Sequence, residues 1–164
     1  IDFNYSSYRR WLMSLHTALV KTEEGKISSE KAKSFIISEK NGAESIFVGR
    51  VRNENDGKKV TAVTYDAHEQ AVIKSFQLIC NDAKNKFDKS AKIFLEHAKG
   101  YVPVGEISIL IAVGAGHRDE AFKICRYILE EVKHQSPIWK KEHYTEGKEE
   151  WLPGHSLRPQ EKIK

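Results

Sequence analysis

The chain has 164 residues, 40% hydrophobic and 30% charged, with 27 Lys and Arg against 23 Asp and Glu for a formal net charge of +4. This composition excludes a disordered chain, and the length suffices for one domain with a single real core. No apolar run approaches the roughly 18 residues needed to cross a bilayer, and the mildly basic balance favours anionic partners without demanding nucleic acid.

The start, Ile1-Asp-Phe-Asn-Tyr5, has no basic region followed by an apolar one, so no secretory leader is expected; without an initiator Met, it fits a processed or trimmed form. Tyr8, Trp11, Leu12, Leu15 and Leu19 stand at helical spacing, with Arg9, Arg10 and Lys21 off the stripe, before the polar stretch Thr22-Glu-Glu-Gly-Lys26. A helix plus linker is therefore expected over residues 1–26, packed on the domain or a second subunit rather than on a membrane. Ser28 suits the N-cap of a short helix ending near Glu39, and Asn41-Gly42 turns the chain. Ser45 to Arg52 and Val60 to Asp66 are expected as a hairpin about the loop Asn53-Glu-Asn-Asp-Gly57. On its first strand Arg50 and Arg52, two apart, share a face.

From Glu69 to Asp88, Val72, Phe76, Ile79, Cys80, Ala83 and Phe87 mark an amphipathic helix carrying Lys74, Lys84 and Lys86 outward. Lys92 to His97 is a strand, and Gly100 to Gly105, with a Pro and two glycines, a loop. Ile107 to Val113 is a buried strand running through a flexible glycine turn at Gly114 into a helix that closes at Lys133. Its stripe is Ala121, Phe122, Cys125, Ile128, Leu129 and Val132. The helix start leaves backbone N–H groups unpaired beside His117 and Arg118, the makings of an anion site. Pro137 ends the helix; Trp139 and Trp151 anchor the segment beyond it, and residues 153–164 are a polar, loosely held tail.

Cys80 and Cys125 both fall on apolar stripes, as buried, reduced thiols of a cytosolic protein do. His134 and His143 lack a second ligand at zinc spacing, so neither metal nor cofactor is expected. Arg50, Arg52, His117, Arg118, Lys133 and Lys140 lie at element ends or on exposed strand faces, where a scaffold presents function. No nucleophile accompanies them: there is no Ser in a nucleophile elbow, no exposed Cys and no carboxylate pair. Clustered cations grip a phosphate and can lower a lysine's pKa. The chemistry expected is transfer onto a phosphorylated small molecule with the reactive group brought in by another protein. The alternative is a non-enzymatic basic dimeric module binding nucleotide or RNA phosphates; no aromatics interleave the Arg pair to favour it.

Phe47-Val-Gly-Arg-Val-Arg-Asn53, Gly116-His-Arg-Asp-Glu-Ala-Phe122, Lys133 and Pro137-Ile-Trp-Lys-Lys-Glu142 resemble the ordered signature of the large, catalytic subunits of molybdopterin synthase. The resemblance covers about residues 27–151. It implies an α+β, hammerhead-like domain over 27–152 with a mixed or antiparallel sheet and two main amphipathic helices. It also implies a cytoplasmic homodimer within a heterotetramer, with a small ubiquitin-like sulfur carrier ending in a Gly-Gly thiocarboxylate at each far end. The implied activity is a sulfurtransferase reaction giving cyclic pyranopterin monophosphate its dithiolene, with neither nucleic acid nor membrane as partner. The family's substrate-contact positions fall on Arg50, Arg52, His117, Arg118, Lys133, Lys140, Lys141 and Glu142, with Lys133 and Lys140 as the catalytic pair. Two departures stand out: His97-Ala-Lys-Gly100 where the family usually has His-Arg followed two places later by Gly, and Gly116 where Ala or Ser is usual.

One geometric expectation comes from the residues themselves. Arg118 and Lys133 are fifteen residues apart on one helix, roughly 22 Å at 1.5 Å per residue. One copy cannot easily bring both ends to one small ligand, so His117 and Arg118 of one subunit are expected to complete the pocket of Lys133 and Lys140 of the other.

Overall fold

A computed structural model describes residues 13–152. In chain order the elements are β1 (Leu15–Lys21), α1 (Ser29–Ile36), β2 (Ala43–Arg50), β3 (Glu54–Asn55), β4 (Lys58–Ala67), α2 (Glu69–Lys86), β5 (Lys92–Pro103), β6 (Ile107–Ala115), α3 (Arg118–Gln135), β7 (Ile138–Tyr144) and β8 (Glu149–Trp151). The strands join in the order β2-β6-β5-β4-β7-β8, with β1 on β5 and β3 on β4. Only the β1–β5 pairing is parallel, so this is an α+β fold on a mixed, mainly antiparallel sheet.

β5 ties the molecule together. From Ile93 to Ala98 every residue is buried, as is every residue of β6 from Ser108 to Ala115. Such unbroken burial means that both faces are covered. α1 covers the face of β5 carrying Phe94 and Glu96, through the Phe35–Phe94 ring contact and the Lys31–Glu96 bond. α2 and α3 pack on each other, α3 also on β2 and β6. Ala121, Ile124, Cys125, Ile128, Leu129 and Val132 form α3's buried stripe. Each fully buried Ile, Leu or Val there contributes about 1.5–3 kcal/mol.

Both thiols are buried and free, and burial pushes each up in pKa. The Ser28 hydroxyl caps α1 by accepting from the Lys31 N–H. Among the described residues no helix is long and apolar enough to cross a membrane.

Several expectations are corrected. Leu15 to Lys21 is a strand paired in parallel with Ile93 to Lys99, not the end of a helix. A spacing of four satisfies a strand's period of two as well as a helix's turn, and β5 offered an open edge. Tyr8, Trp11 and Leu12, like the tail from Pro153, lie outside the described residues. β2 pairs with β6 rather than β4; the true hairpin is the small β3–β4 one. β5 runs on through Gly100 to Pro103, its later half pairing with β4. Gly114 is no flexible turn but the penultimate residue of β6, needed for close packing: a Cβ there would stand 2.6 Å from the Ile36 carbonyl. Lys84 is buried, Phe122 is 65% exposed off the stripe, and Trp151 is 50% exposed on an edge strand.

Candidate functional site

The site is assembled where the ends of β2 and α3 meet β7. β2 stops at Arg50 with a register shift between Gly49 and Arg50. The next residues are pinned from two sides: Val51 exchanges backbone bonds with Gly105 and Glu106, and the Asn53 carbonyl accepts from the Val60 N–H. Arg52 is thus presented from a fixed, non-strand segment. Arg50 and Arg52 do not share a strand face, because the strand ends at Arg50. Arg50 Nη1 donates instead to the Gly105 carbonyl at 2.7 Å.

Lys133 lies in the last turn of α3, whose end is fixed by the bond from the Ser136 N–H to the Val132 carbonyl and by a 3.0 Å bond between the Ser75 and Ser136 hydroxyls. Pro137 then releases the chain into β7. Along β7, Lys140, Glu142 and Tyr144 alternate with Trp139, Lys141 and His143, so the two sets occupy opposite faces.

Lys140 is the centre. Its pKa lies below the ordinary 10.5, chiefly because burial disfavours the ammonium; Glu142 opposes the shift, and the like charges of Arg52 and Lys133 add to it. Arg52, Lys133, Lys140 and Glu142 therefore share one electrostatic neighbourhood although their positions span ninety residues. Glu142 is only 4% exposed. Both its oxygens are within 3.0 and 3.1 Å of Asn55 Nδ2, and the Tyr144 hydroxyl donates to one at 2.9 Å. Tyr65, on the neighbouring strand, is buried, with its pKa raised first by that burial and also by Glu142.

The remaining residues expected at the site are elsewhere. Lys141, on β7's other face, pairs with Glu149 at 2.8 Å and lies over the Trp151 ring. His117 and Arg118 are exposed at the far end of α3, where His117 is the N-cap without a side-chain capping bond. Asn55, Tyr65 and Tyr144 are not singled out by the sequence, and nothing local marks them. Among the described residues no group of His, Cys, Asp or Glu is arranged to hold a metal.

The α+β scaffold brings Arg52 and Lys133 into the electrostatic neighbourhood of the half-buried Lys140, a cationic site at a strand and helix junction. A family profile described as MoaE protein matches residues 22–135. The molybdopterin synthase catalytic subunit of Synechococcus elongatus is 42% identical over 126 residues, 77% of this chain and 76% of that protein. The catalytic subunit of Pyrococcus abyssi is 39% identical over 137 residues, 84% and 90% of the two chains. The crystal structure of molybdopterin synthase from Staphylococcus aureus superposes with a TM-score of 0.76 at 28% identity, covering 86% of this chain and 98% of that one. A Helicobacter pylori complex of subunits 1 and 2 of molybdopterin-converting factor shares the fold, with a TM-score of 0.69 at 22% identity over 85% of this chain and 92% of that one. The chain belongs to the MoaE family.

Proposed function

We propose that this chain is the catalytic subunit of a molybdopterin synthase, a cytoplasmic sulfurtransferase. It receives the Gly-Gly thiocarboxylate tails of two small ubiquitin-like subunits in turn, each giving up its one sulfur to cyclic pyranopterin monophosphate and leaving as a carboxylate. The observation that carries this reading is the convergence of Arg52 and Lys133 on the half-buried Lys140. A site that already crowds positive charge favours an anionic substrate, and partial burial strengthens its electrostatics. The nucleophile comes with the partner's sulfur, in keeping with both thiols of this chain being buried. Lys133 and Lys140 act as the catalytic pair, with Arg52 on the substrate.

His117 and Arg118 join the site from a second copy. α3 runs unbroken from Arg118 to Gln135, so its two ends stand roughly 22 Å apart. The assembly is then a homodimer flanked by two small subunits.

The test is conversion of pyranopterin monophosphate by this protein mixed with a thiocarboxylated small subunit. Lys133→Ala is expected to lose about a hundredfold or more in turnover while folding and small-subunit binding persist. Undiminished conversion would remove Lys133 from the reaction. For the shared pocket, Lys133→Ala mixed with His117→Ala/Arg118→Ala should regain activity through hybrid dimers carrying one intact site; no recovery after subunit exchange would place all four groups in one chain's pocket.

A further inference from the structure

Asn55 reaches Glu142 from a turn whose geometry leaves it little freedom. Asp56 and Gly57, the two residues between β3 and β4, both have positive φ, 48° and 76°. That is the two-residue hairpin geometry whose twist matches the flanking strands. It holds the Asn55–Lys58 pair in register and aims the Asn55 amide at β7, its nitrogen within reach of both carboxylate oxygens. A carboxylate 4% exposed must have its lone pairs satisfied to remain in the interior. Here neutral donors do so: Asn55, and Tyr144 from two places along the same strand face. Neutral donors leave the negative charge undiminished, and Lys140 lies one step back on that face.

We propose that Asn55, with Tyr144, is a positioning residue for Lys140, clamping the buried Glu142 carboxylate as a fixed counter-charge beside it. Significance for turnover rests on the reading of Lys140 as catalytic; the clamp itself does not. The charged and titratable groups around the pair are Arg52 from the segment after β2, Lys133 from α3, and Tyr65 from β4 across the ladder. Glu150, the register partner of Glu142 on β8, and Asp56 add negative charge near Tyr144, while Lys58 pairs with Glu150 at 3.5 Å and lies over the Tyr144 ring; the Tyr144 hydroxyl is pushed up to about 12 by burial and by its bond to Glu142. Lys141, His143 and Glu149 form their own group on the other face of β7. Within this set Glu142 favours the Lys140 ammonium, while the cations and burial oppose it. Loosening Glu142 must therefore move Lys140 toward release of its proton at lower pH.

The experiment is NMR titration of 13C-labelled lysines in the full chain, with the Lys140 signal assigned by its loss in Lys140→Arg. In Glu142→Gln, which is nearly isosteric, the Lys140 midpoint is expected to shift to lower pH. Asn55→Ala and Tyr144→Phe are expected to shift it the same way by less. Asn55→Ala added to Glu142→Gln is expected to move it no further, because Asn55 acts through the carboxylate. An unmoved midpoint in Glu142→Gln overturns the inference, as does an Asn55→Ala effect that survives in the double variant. Should Asn55→Ala fail to fold, Tyr144→Phe decides against Glu142→Gln in the same way. The pH profile of turnover separates this inference from the proposed function: a moved midpoint with an unmoved profile upholds the clamp and removes Lys140 from the reaction.

Discussion

Tyr65 and Lys140 are register partners across the antiparallel β4–β7 ladder. Opposed side chains of such a pair start about 4.5–5.5 Å apart at Cβ, so the stem of Lys140 lies beside a buried phenol. This neighbour is part of the burial that leads the downward shift of the Lys140 pKa, ahead of the contributions from Arg52 and Lys133. Arg52 can be tested alone. Arg52→Gln deletes a like charge, so the Lys140 ammonium is favoured and its pKa rises. The Lys140 midpoint in the lysine NMR titration should move to higher pH, opposite to the Glu142→Gln shift, and on the proposed reading of Lys140 as catalytic a limb of the turnover profile moves with it. An unmoved midpoint, or one displaced to lower pH, would separate Arg52 from Lys140.

The elements readable from sequence are those whose burial period is local. α2 and α3 each bury one stripe at helical spacing, and Ser28 declares itself as a cap by its place before a helical run. The burial of Lys84 is also written in that spacing, since it follows Cys80 by four on the buried stripe, although its charge argues for the outward face. Strand partners are another matter. Nothing in Ala43 to Arg50 says that its partner is Ile107 to Ala115, because that choice depends on the packing of the whole sheet. The site divides likewise. Arg52, Lys133, Lys140 and Glu142 can be named from their resemblance to a family, whereas Asn55 is an ordinary loop residue until the β3–β4 turn aims it.

Two glycines before α3 should respond oppositely to alanine. At Gly114 a Cβ would meet Asn41 Nδ2 at 2.5 Å and the Ile36 carbonyl at 2.6 Å, and the backbone oxygen cannot swing away. Gly114→Ala is expected to destabilise by about 1–3 kcal/mol. At Gly116 the nearest atom is Asp88 Oδ2 at 4.0 Å, with no positive φ to oppose a side chain. Gly116→Ala is expected to be neutral or to stabilise by about 0.4–1 kcal/mol through the unfolded chain. Urea unfolding of the two variants decides, and equal losses would contradict the packing argument.

Lys84 gives a prediction with a definite pH sign. Its side chain is buried and its ammonium donates to the Ser14 hydroxyl at 2.5 Å. Burial holds its pKa below the ordinary 10.5, against the opposing influence of Asp88 and Cys80. The unfolded chain therefore binds this proton more tightly than the folded one. Stability rises as pH climbs from the depressed folded value to the unfolded value near 10.5. Lys84→Met keeps the stem and removes the charge, so it should flatten this rise and be neutral or stabilising near neutral pH. Denaturation midpoints between neutral and alkaline pH provide the check, and a Lys84→Met protein with an undiminished slope would locate the titrating group elsewhere.

Glu96 carries the opposite sign. Its side chain is 3% exposed, and one oxygen accepts from His16 at 2.8 Å and from Lys31 at 3.2 Å, which joins β1, β5 and α1 at one point. Burial alone would raise its pKa, yet the bonds from His16 and Lys31 outweigh it and hold the group below the usual 4.5. A depressed carboxylate contributes stability that is complete above its unfolded pKa and is lost as pH falls through the folded one. Glu96→Gln keeps an acceptor and the shape while removing the charge, so it should cost about 1–2 kcal/mol at neutral pH. Under acid the difference from the unaltered protein should narrow, because Glu96 is then protonated in both folded and unfolded chains. β1 should loosen first, since His16 is its tie to this carboxylate. Hydrogen exchange of the β1 amides at neutral pH should therefore accelerate in Glu96→Gln more than exchange in β6. Uniform acceleration across both strands would mean that Glu96 supports the sheet as a whole and not the attachment of β1.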